Sequence, residues 1–388
     1  MISARWLAAG VFALGALSAL PAALAEDLRF AVIAPIADSP FFQAIENGCT
    51  ARSKTLAGDG SSIACLYAGP GFALDAPAPA PAASPTAAPA PVDVAKPRSP
   101  EDAAKPELPP SPGPGDAATP ATPDTPAAAD AVPARPAALP PKLDTRTEAQ
   151  IVMDFVAQKV DGIALSPADD ADVRAAIAFA VKSGIPVVTF DADAPTSGRS
   201  AFVGTNARDF GRSLGASLKR WKPKGGKYAI LATDPAKPNL AERIIGVRDA
   251  IGRDWQEIVD SPIKAGPSYA DTVKAIDHLL DSYSDVDAVI SVGAWPMLAT
   301  DDWRALVAKY KSRIDKAQVV LVVADALPLQ KDLVREGLGH VLVGQRPSDM
   351  GARVAELLYE LKHGRKVPEV VYVGFNTFTR LDLVGQSN

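Results

Sequence analysis

KVDGIALSPADDADVRAAIAFAVKSGIPVVTFDADAP, residues Lys159 to Pro195, reads as strand, loop, helix and strand. Gly162 to Leu165 is a short apolar run that Ser166-Pro167 stops, as where a parallel strand hands over to a helix. A helix is predicted from Asp169 or Asp170, with Val173, Ile177, Ala180 and Val181 apolar and Gly184 as its C-terminal stop. The pair Asp169-Asp170 is better explained as helix N-terminal capping than as two catalytic acids. Ile185 to Phe190 is apolar on both faces, the pattern of a strand covered by helices on both sides. It ends in Asp191-Ala192-Asp193. Ser166 and Asp191 therefore fall at the C-terminal ends of two consecutive parallel strands, the edge where open α/β sheets bind ligands.

Toward the N-terminus, Leu28 to Ile36 (LRFAVIAPI) reads as the first strand. A helix follows with Phe42, Ile45, Cys49 and Ala57 on its expected buried face. Ser61 to Ala68 is the second strand. Beyond it the chain changes character: 20 of the 36 prolines lie between Asp75 and Lys142, among Ala, Asp and Thr. Such a composition cannot bury a core of its own. Residues 73–142 are expected to be a disordered Pro/Ala-rich insertion in the loop between the second strand and the second helix. Closing a loop of about seventy residues instead of about six costs only about 2 kcal/mol extra, so the fold tolerates it.

Toward the C-terminus, Ala201 to Gly204 is another short strand, followed by Thr205-Asn206 and a helix through Leu218. The layout then repeats. Lys227 to Thr233 (KYAILAT) opens a second unit as LRFAVIAPI opened the first, and Asp287 to Val292 (DAVISV) parallels Asp161 to Ser166 (DGIALS). The fold class expected is α/β, with two doubly wound parallel-sheet lobes.

The 388 residues carry a formal net charge of −5 and are 47% hydrophobic, which suits two sizeable cores and argues against a nucleic-acid partner. Residues 1–25 have the form of an export signal: Arg5, an apolar core from Trp6 to Leu20, and Ala23-Leu24-Ala25 as the cleavage pattern after Ala25. The apolar stretch is short for a spanning helix. A periplasmic location follows. Cys49 and Cys65, on adjacent predicted elements, are either a disulfide or two buried thiols. Three scattered histidines and no Cys-x-x-Cys give no metal site, and no cofactor is expected. The chain also lacks a Walker loop and a histidine-based metal set, so no enzyme is expected.

The Lys159–Pro195 unit resembles the type I periplasmic binding proteins for sugars, the ribose-type receptors of ABC transporters. The resemblance implies two hinged lobes closing over a monosaccharide-sized ligand, with 27–204 plus 346–372 in the first lobe and 205–345 plus 373–388 in the second. By position it carries ligand contacts onto Ser39, Phe41 and Phe42, onto Arg243 in the helix from Leu240 to Ile251, onto Asp325 after the strand Val319–Val323, and onto Gln345 in a Q-x-P turn. Ser166, Asp191 and Asp193 join them from the strand ends already described. Phe41 and Phe42 are also readable as core, and Arg243 as a surface residue paired with Glu242 or Asp249. At Gly293-Ala294-Trp295 the chain departs from the family's Asn-Asp. Trp295 is then a wall of the cleft or part of the lobe core, and the ligand can be less polar or larger than ribose. The implied partners are a small-molecule ligand, such as a sugar, and a membrane permease or a sensor kinase or chemoreceptor, with the receptor itself a monomer.

Overall fold

A computed structural model describes residues 26–58, 61–70, 145–168, 170–266 and 268–385. The expected export signal, the expected insertion and Asp169 lie outside the described residues.

Two sheets organise the chain. The first contains β1 (Asp27–Ile33), β2 (Ser62–Ala68), β3 (Gly162–Leu165), β4 (Val187–Phe190), β5 (Ala201–Gly204) and a late strand, β12 (Val370–Tyr372). Its order is β12-β5-β4-β3-β1-β2, parallel throughout. The second contains β6 (Gly226–Ala232), β7 (Trp255–Glu257), β8 (Ile263–Lys264), β9 (Ala288–Ser291), β10 (Val320–Ala324), β11 (Val341–Gln345) and β13 (Phe375–Thr379). Its path is β13-β11-β10-β9-β6-β7, with β8 also pairing β6. Only β13, on β11, runs antiparallel among the described strands. In both sheets the winding direction reverses beside the opening strand, between β1 and β3 or between β6 and β9, which opens a crevice at the strands' C-terminal ends.

Each sheet is covered on both faces. In the first, α1 (Pro40–Leu56) and α11 (Pro347–Lys362) pack on Phe30, Val32 and Val188. On the opposite face α2 (Glu148–Ala157) and α3 (Ala171–Lys182) pack on Ala31, Ile33 and Val187. In the second, α4 (Ala207–Trp221) and α5 (Pro238–Ile251) cover one face. The other is covered by α6 (Tyr269–Ser282), α7 (Trp295–Leu298), α8 (Thr300–Lys309), α9 (Lys311–Asp315), α10 (Pro328–Arg335) and α12 (Arg380–Val384). Burial of all four residues in β3 and all four in β4 is what made their sequences continuous apolar runs instead of alternating ones. Among the described residues the chain passes between the sheets after β5, after β11 and after β12.

Two helix pairs approach through glycine. A Cβ on Gly48 of α1 would lie 1.9 Å from the Ser348 carbonyl oxygen, and one on Gly351 of α11 would lie 1.9 Å from that of Ile45. In the second lobe a Cβ on Gly211 of α4 would meet the Arg243 oxygen at 2.0 Å, and one on Gly246 of α5 would meet that of Arg208 at 2.1 Å. No larger side chain fits at these four positions without moving a helix.

Local signals account for several boundaries. The Asp170 carboxylate accepts from the Val173 amide at 2.7 Å and so caps α3. Thr147 and Gln150 form a reciprocal capping box at the start of α2. Cys49 and Cys65 are joined as a disulfide between α1 and β2. Ala57, expected on the buried face of α1, instead ends the helix half-exposed; Ser53 takes the buried place and lies 3.2 Å from Cys65 Sγ.

Candidate ligand site

Strand β4 ends beside Asp191, whose φ is 60°, and β10 ends beside Asp325, whose φ is 68°. Aspartate is among the few side chains that tolerate this left-handed backbone. Each turn is pinned the same way: the Asp191 amide donates to the Val203 carbonyl at 3.0 Å, and the Asp325 amide to the Val343 carbonyl at 2.7 Å. The turn lifts both carboxylates off their strand ends into one cavity of about 140 Å³, which other walls complete.

From the first lobe come Ile36, Ser39, Phe41, Phe42 and Asp191; from the second, Asn239, Leu240, Arg243, Tyr269, Gly293, Ala294, Trp295, Leu298, Asp325, Leu327 and Gln345. Ser39 occupies the N-cap of α1, yet its hydroxyl makes no capping bond. Phe41 and Phe42 meet edge to face, with centroids 5.2 Å apart. They belong to the first lobe's core and to the cavity wall at once, and Ala294 and Leu327 of the second lobe pack into that same cluster. The lobes are thus in contact around the cavity.

Arg243 is 5% exposed. Its Nη1 donates to the Val292 carbonyl at 2.8 Å, and its guanidinium carbon lies 4.7 Å from the centre of the Phe210 ring. Its Nε is buried with no hydrogen-bond partner among the described residues. The surface alternative does not hold, because Asp249 pairs with Arg208 and Arg212 instead.

Burial pushes the Asp191 carboxyl up to about 6, against the pull of Arg243; the neighbouring Asp325 adds to the rise, while Ser166 and Lys237 oppose it. Burial likewise raises Asp325, opposed by Arg243, by Gln345 and by the Ala294 amide. The Gln345 Nε2 donates to the Asp325 carboxylate at 2.8 Å. Burial raises Tyr269 too, with Asp38 contributing.

Eight of the ten expected contacts therefore line one cavity: Ser39, Phe41, Phe42, Asp191, Arg243, Trp295, Asp325 and Gln345. Two do not. Ser166 is buried and does not line the cavity; it acts on the Asp191 carboxyl by holding it down against the effect of burial. Asp193 is spent on the protein: both its oxygens bond Arg199, at 2.6 and 2.7 Å, and Oδ1 also accepts from Thr189 and the Ala194 amide. A carboxylate already holding a bidentate arginine has little left for a ligand. It fastens the turn that carries Asp191.

Trp295 serves both of its readings, lining the cavity and packing on the second lobe's core. A Cβ on Gly293 would lie 2.4 Å from its indole, so the glycine is what lets the ring fold back over the strand end. The Gly-Ala-Trp departure is one structural unit. Sequence reading missed Asn239 and Tyr269. Asn239 stands four residues before Arg243 on α5, the spacing that places it on the same helix face; Tyr269 is the first residue of α6 and carried no such signal.

Fold and site together define two α/β lobes that meet around one polar, aromatic-walled cavity. A family model described as "Periplasmic binding protein domain" matches residues 124–366, more than half of the chain, and the protein belongs to that family. It is 25% identical over 245 residues to the D-allose-binding periplasmic protein of Escherichia coli, covering 60% of this chain and 75% of that one. It is 24% identical over 220 residues to the ribose import binding protein RbsB of Salmonella typhimurium, covering 56% and 70%. Among solved structures, GanP, a glucose-galactose binding protein from Geobacillus stearothermophilus, shares the fold at a TM-score of 0.64 and 19% identity, covering 92% of this chain and 98% of its own.

Proposed function

We propose that this protein is the solute receptor of an ABC importer, capturing a sugar between its lobes and presenting it to a membrane permease. The observation that carries the reading is the convergence of Asp191 from one lobe with Arg243 and Asp325 from the other, between the aromatic walls Phe41, Phe42 and Trp295. A sugar ring has apolar C–H faces and a rim of hydroxyls, so aromatic walls and charged hydrogen-bonding groups suit it. Charged hydrogen bonds contribute about 1.5 to 3 kcal/mol each, and a micromolar complex needs about 8 kcal/mol. A handful of such contacts is sufficient.

The family supports a binding role and not a catalytic one. The site residues, the lobe boundaries at 204, 345 and 372, and export with cleavage after Ala25 belong to the same proposal. Calorimetry of the exported protein against a panel of pentoses and hexoses, with X-ray scattering on the same samples, tests it. The expected result is a micromolar sugar that also compacts the protein. A panel in which no sugar binds overturns the reading. Mass spectrometry of the exported protein reads the cleavage position directly.

A further inference from the structure

Each cavity aspartate is tied to a strand that leads across to the other lobe, and the two ties differ. Asp325 uses its own carboxylate: Gln345, the last residue of β11 before the second crossing, donates to it at 2.8 Å. In the first lobe the tie passes to Asp193, two residues beyond Asp191. Arg199 holds both oxygens of Asp193, through Nε at 2.6 Å and Nη2 at 2.7 Å, and its Nη1 donates to the Glu369 carbonyl at 3.3 Å. The Arg199 side chain is 3% exposed. The Glu369 carboxylate lies 3.7 Å from the same Nη1 but is exposed, so it adds little.

Glu369 immediately precedes β12, the strand that enters the third crossing. Its carbonyl also accepts from the Phe202 amide of β5 at 2.8 Å, and at the other end of the two strands the Val373 amide donates to the Gly204 carbonyl at 2.8 Å. The first crossing leaves from Gly204 and the third from Val373, so these two are bonded to each other where they leave the sheet. Arg199 therefore stands between the turn that carries Asp191 and the strand pair from which both crossings depart. A guanidinium serves both directions at once: one edge makes two parallel bonds to the carboxylate, the remaining nitrogen reaches the carbonyl, and its plane fixes the angle between them. A lysine ammonium keeps the charge but has no such fork.

We infer that Arg199 is a positioning residue of the ligand site: through Asp193 and the Glu369 carbonyl it makes the Asp191 turn and the β5–β12 strand pair one mechanical unit, so that a ligand held by Asp191 acts on the hinge. This rests on the receptor reading and adds to it a residue outside the cavity. Hydrogen exchange of the ligand-free exported protein tests the tie without any sugar. Arg199→Lys should speed amide exchange about tenfold in peptides covering residues 190–203 and 368–374 together, while 323–328 and 341–345 keep their protection. Asp193→Asn, which keeps an acceptor for Thr189 and weakens the pair, should give the same pattern to a smaller extent, and it serves should the lysine variant not fold. Faster exchange at the turn alone, no change at either place, or an equal rise throughout the chain overturns the inference.

Calorimetry with the tightest-binding sugar of the pentose and hexose panel reads the consequence for capture. Arg199→Lys should weaken that sugar about tenfold, but by less than about twofold in the Asp191→Asn background, because the effect passes through Asp191. An equal loss in both backgrounds overturns the positioning role. A panel with no binder overturns the receptor reading, and the exchange pattern alone then decides the tie.

Discussion

The first lobe leaves β4 at Asp191 and the second leaves β10 at Asp325, and around these two turns the lobes are built alike. Asp161 accepts from the Arg29 amide and pairs with Lys362 at the end of α11; Asp287 accepts from the Lys227 amide and pairs with Lys222 at the end of α4. Gly48 and Gly351 seat one helix pair, Gly246 and Gly211 the other. The side chains delivered to the cavity differ. The first lobe gives two phenylalanines, a serine hydroxyl and one carboxylate, the second an arginine, a tryptophan, a tyrosine, a carboxylate and two amides. Backbone architecture is duplicated while chemistry is divided, so neither lobe alone lines the whole cavity.

The sharpest way to break that division is Arg243→Met, which removes the one buried cation that lines the cavity and with it the charged hydrogen bonds proposed for the ligand. At about 1.5 to 3 kcal/mol each, ligand affinity should drop about 100-fold or more by calorimetry. Retained affinity would mean that the second lobe does not supply the anchor. The disulfide is a difference of stability: it closes a loop with a sequence separation of 16 in the first lobe, and no other is present among the described residues. Removing it by Cys49→Ala with Cys65→Ala should cost about 3 kcal/mol in denaturant titration.

The glycine pairs test the likeness. In a helix Gly→Ala ordinarily stabilises by about 1 kcal/mol, but here the new Cβ would strike a carbonyl oxygen. Gly351→Ala and Gly246→Ala should each instead destabilise, by about 1 to 3 kcal/mol and by similar amounts. Unequal losses would show that the two helix pairs are not equivalent.

A pH experiment compares the aspartates. Asp191 has its carboxyl raised from 3.8 to about 6, so between these values the folded state holds more protons than the unfolded one. The Asp191 contribution to stability then falls as pH rises from about 4 to about 6 and is level above. Asp191→Asn should flatten that fall, a difference of about 2 kcal/mol in denaturant midpoints measured across the range. Asp325, raised in the same direction, should give the same sign when replaced by Asn. The smallest effect is expected for Gln345→Ala, which removes one support of Asp325 and should weaken binding about tenfold.

Sequence patterns carried the core well because burial on both faces leaves a plain mark: continuous apolar runs at Gly162–Leu165 and Val187–Phe190, and a polar residue at the end of each. At the strand ends the same pattern put Asp191 at the cavity but not Ser166. They did less well where one carboxylate competes with another. Asp191 and Asp193 sit two residues apart, and nothing local says that Arg199 takes the second and leaves the first. Tyr269 was invisible because its role comes from the place of α6 relative to the other lobe, not from its neighbours in the chain.

Periodicity, turn residues and the repeat of layout were enough to specify two parallel α/β lobes and the strand-end edge where the cavity opens, since these follow from short-range backbone preferences and the sorting of apolar from polar residues. Which side chains face the cavity, which are used up by the protein, and how charge balances there were settled only when the two lobes came together. Those outcomes depend on distances between residues far apart in the chain, which no local pattern encodes.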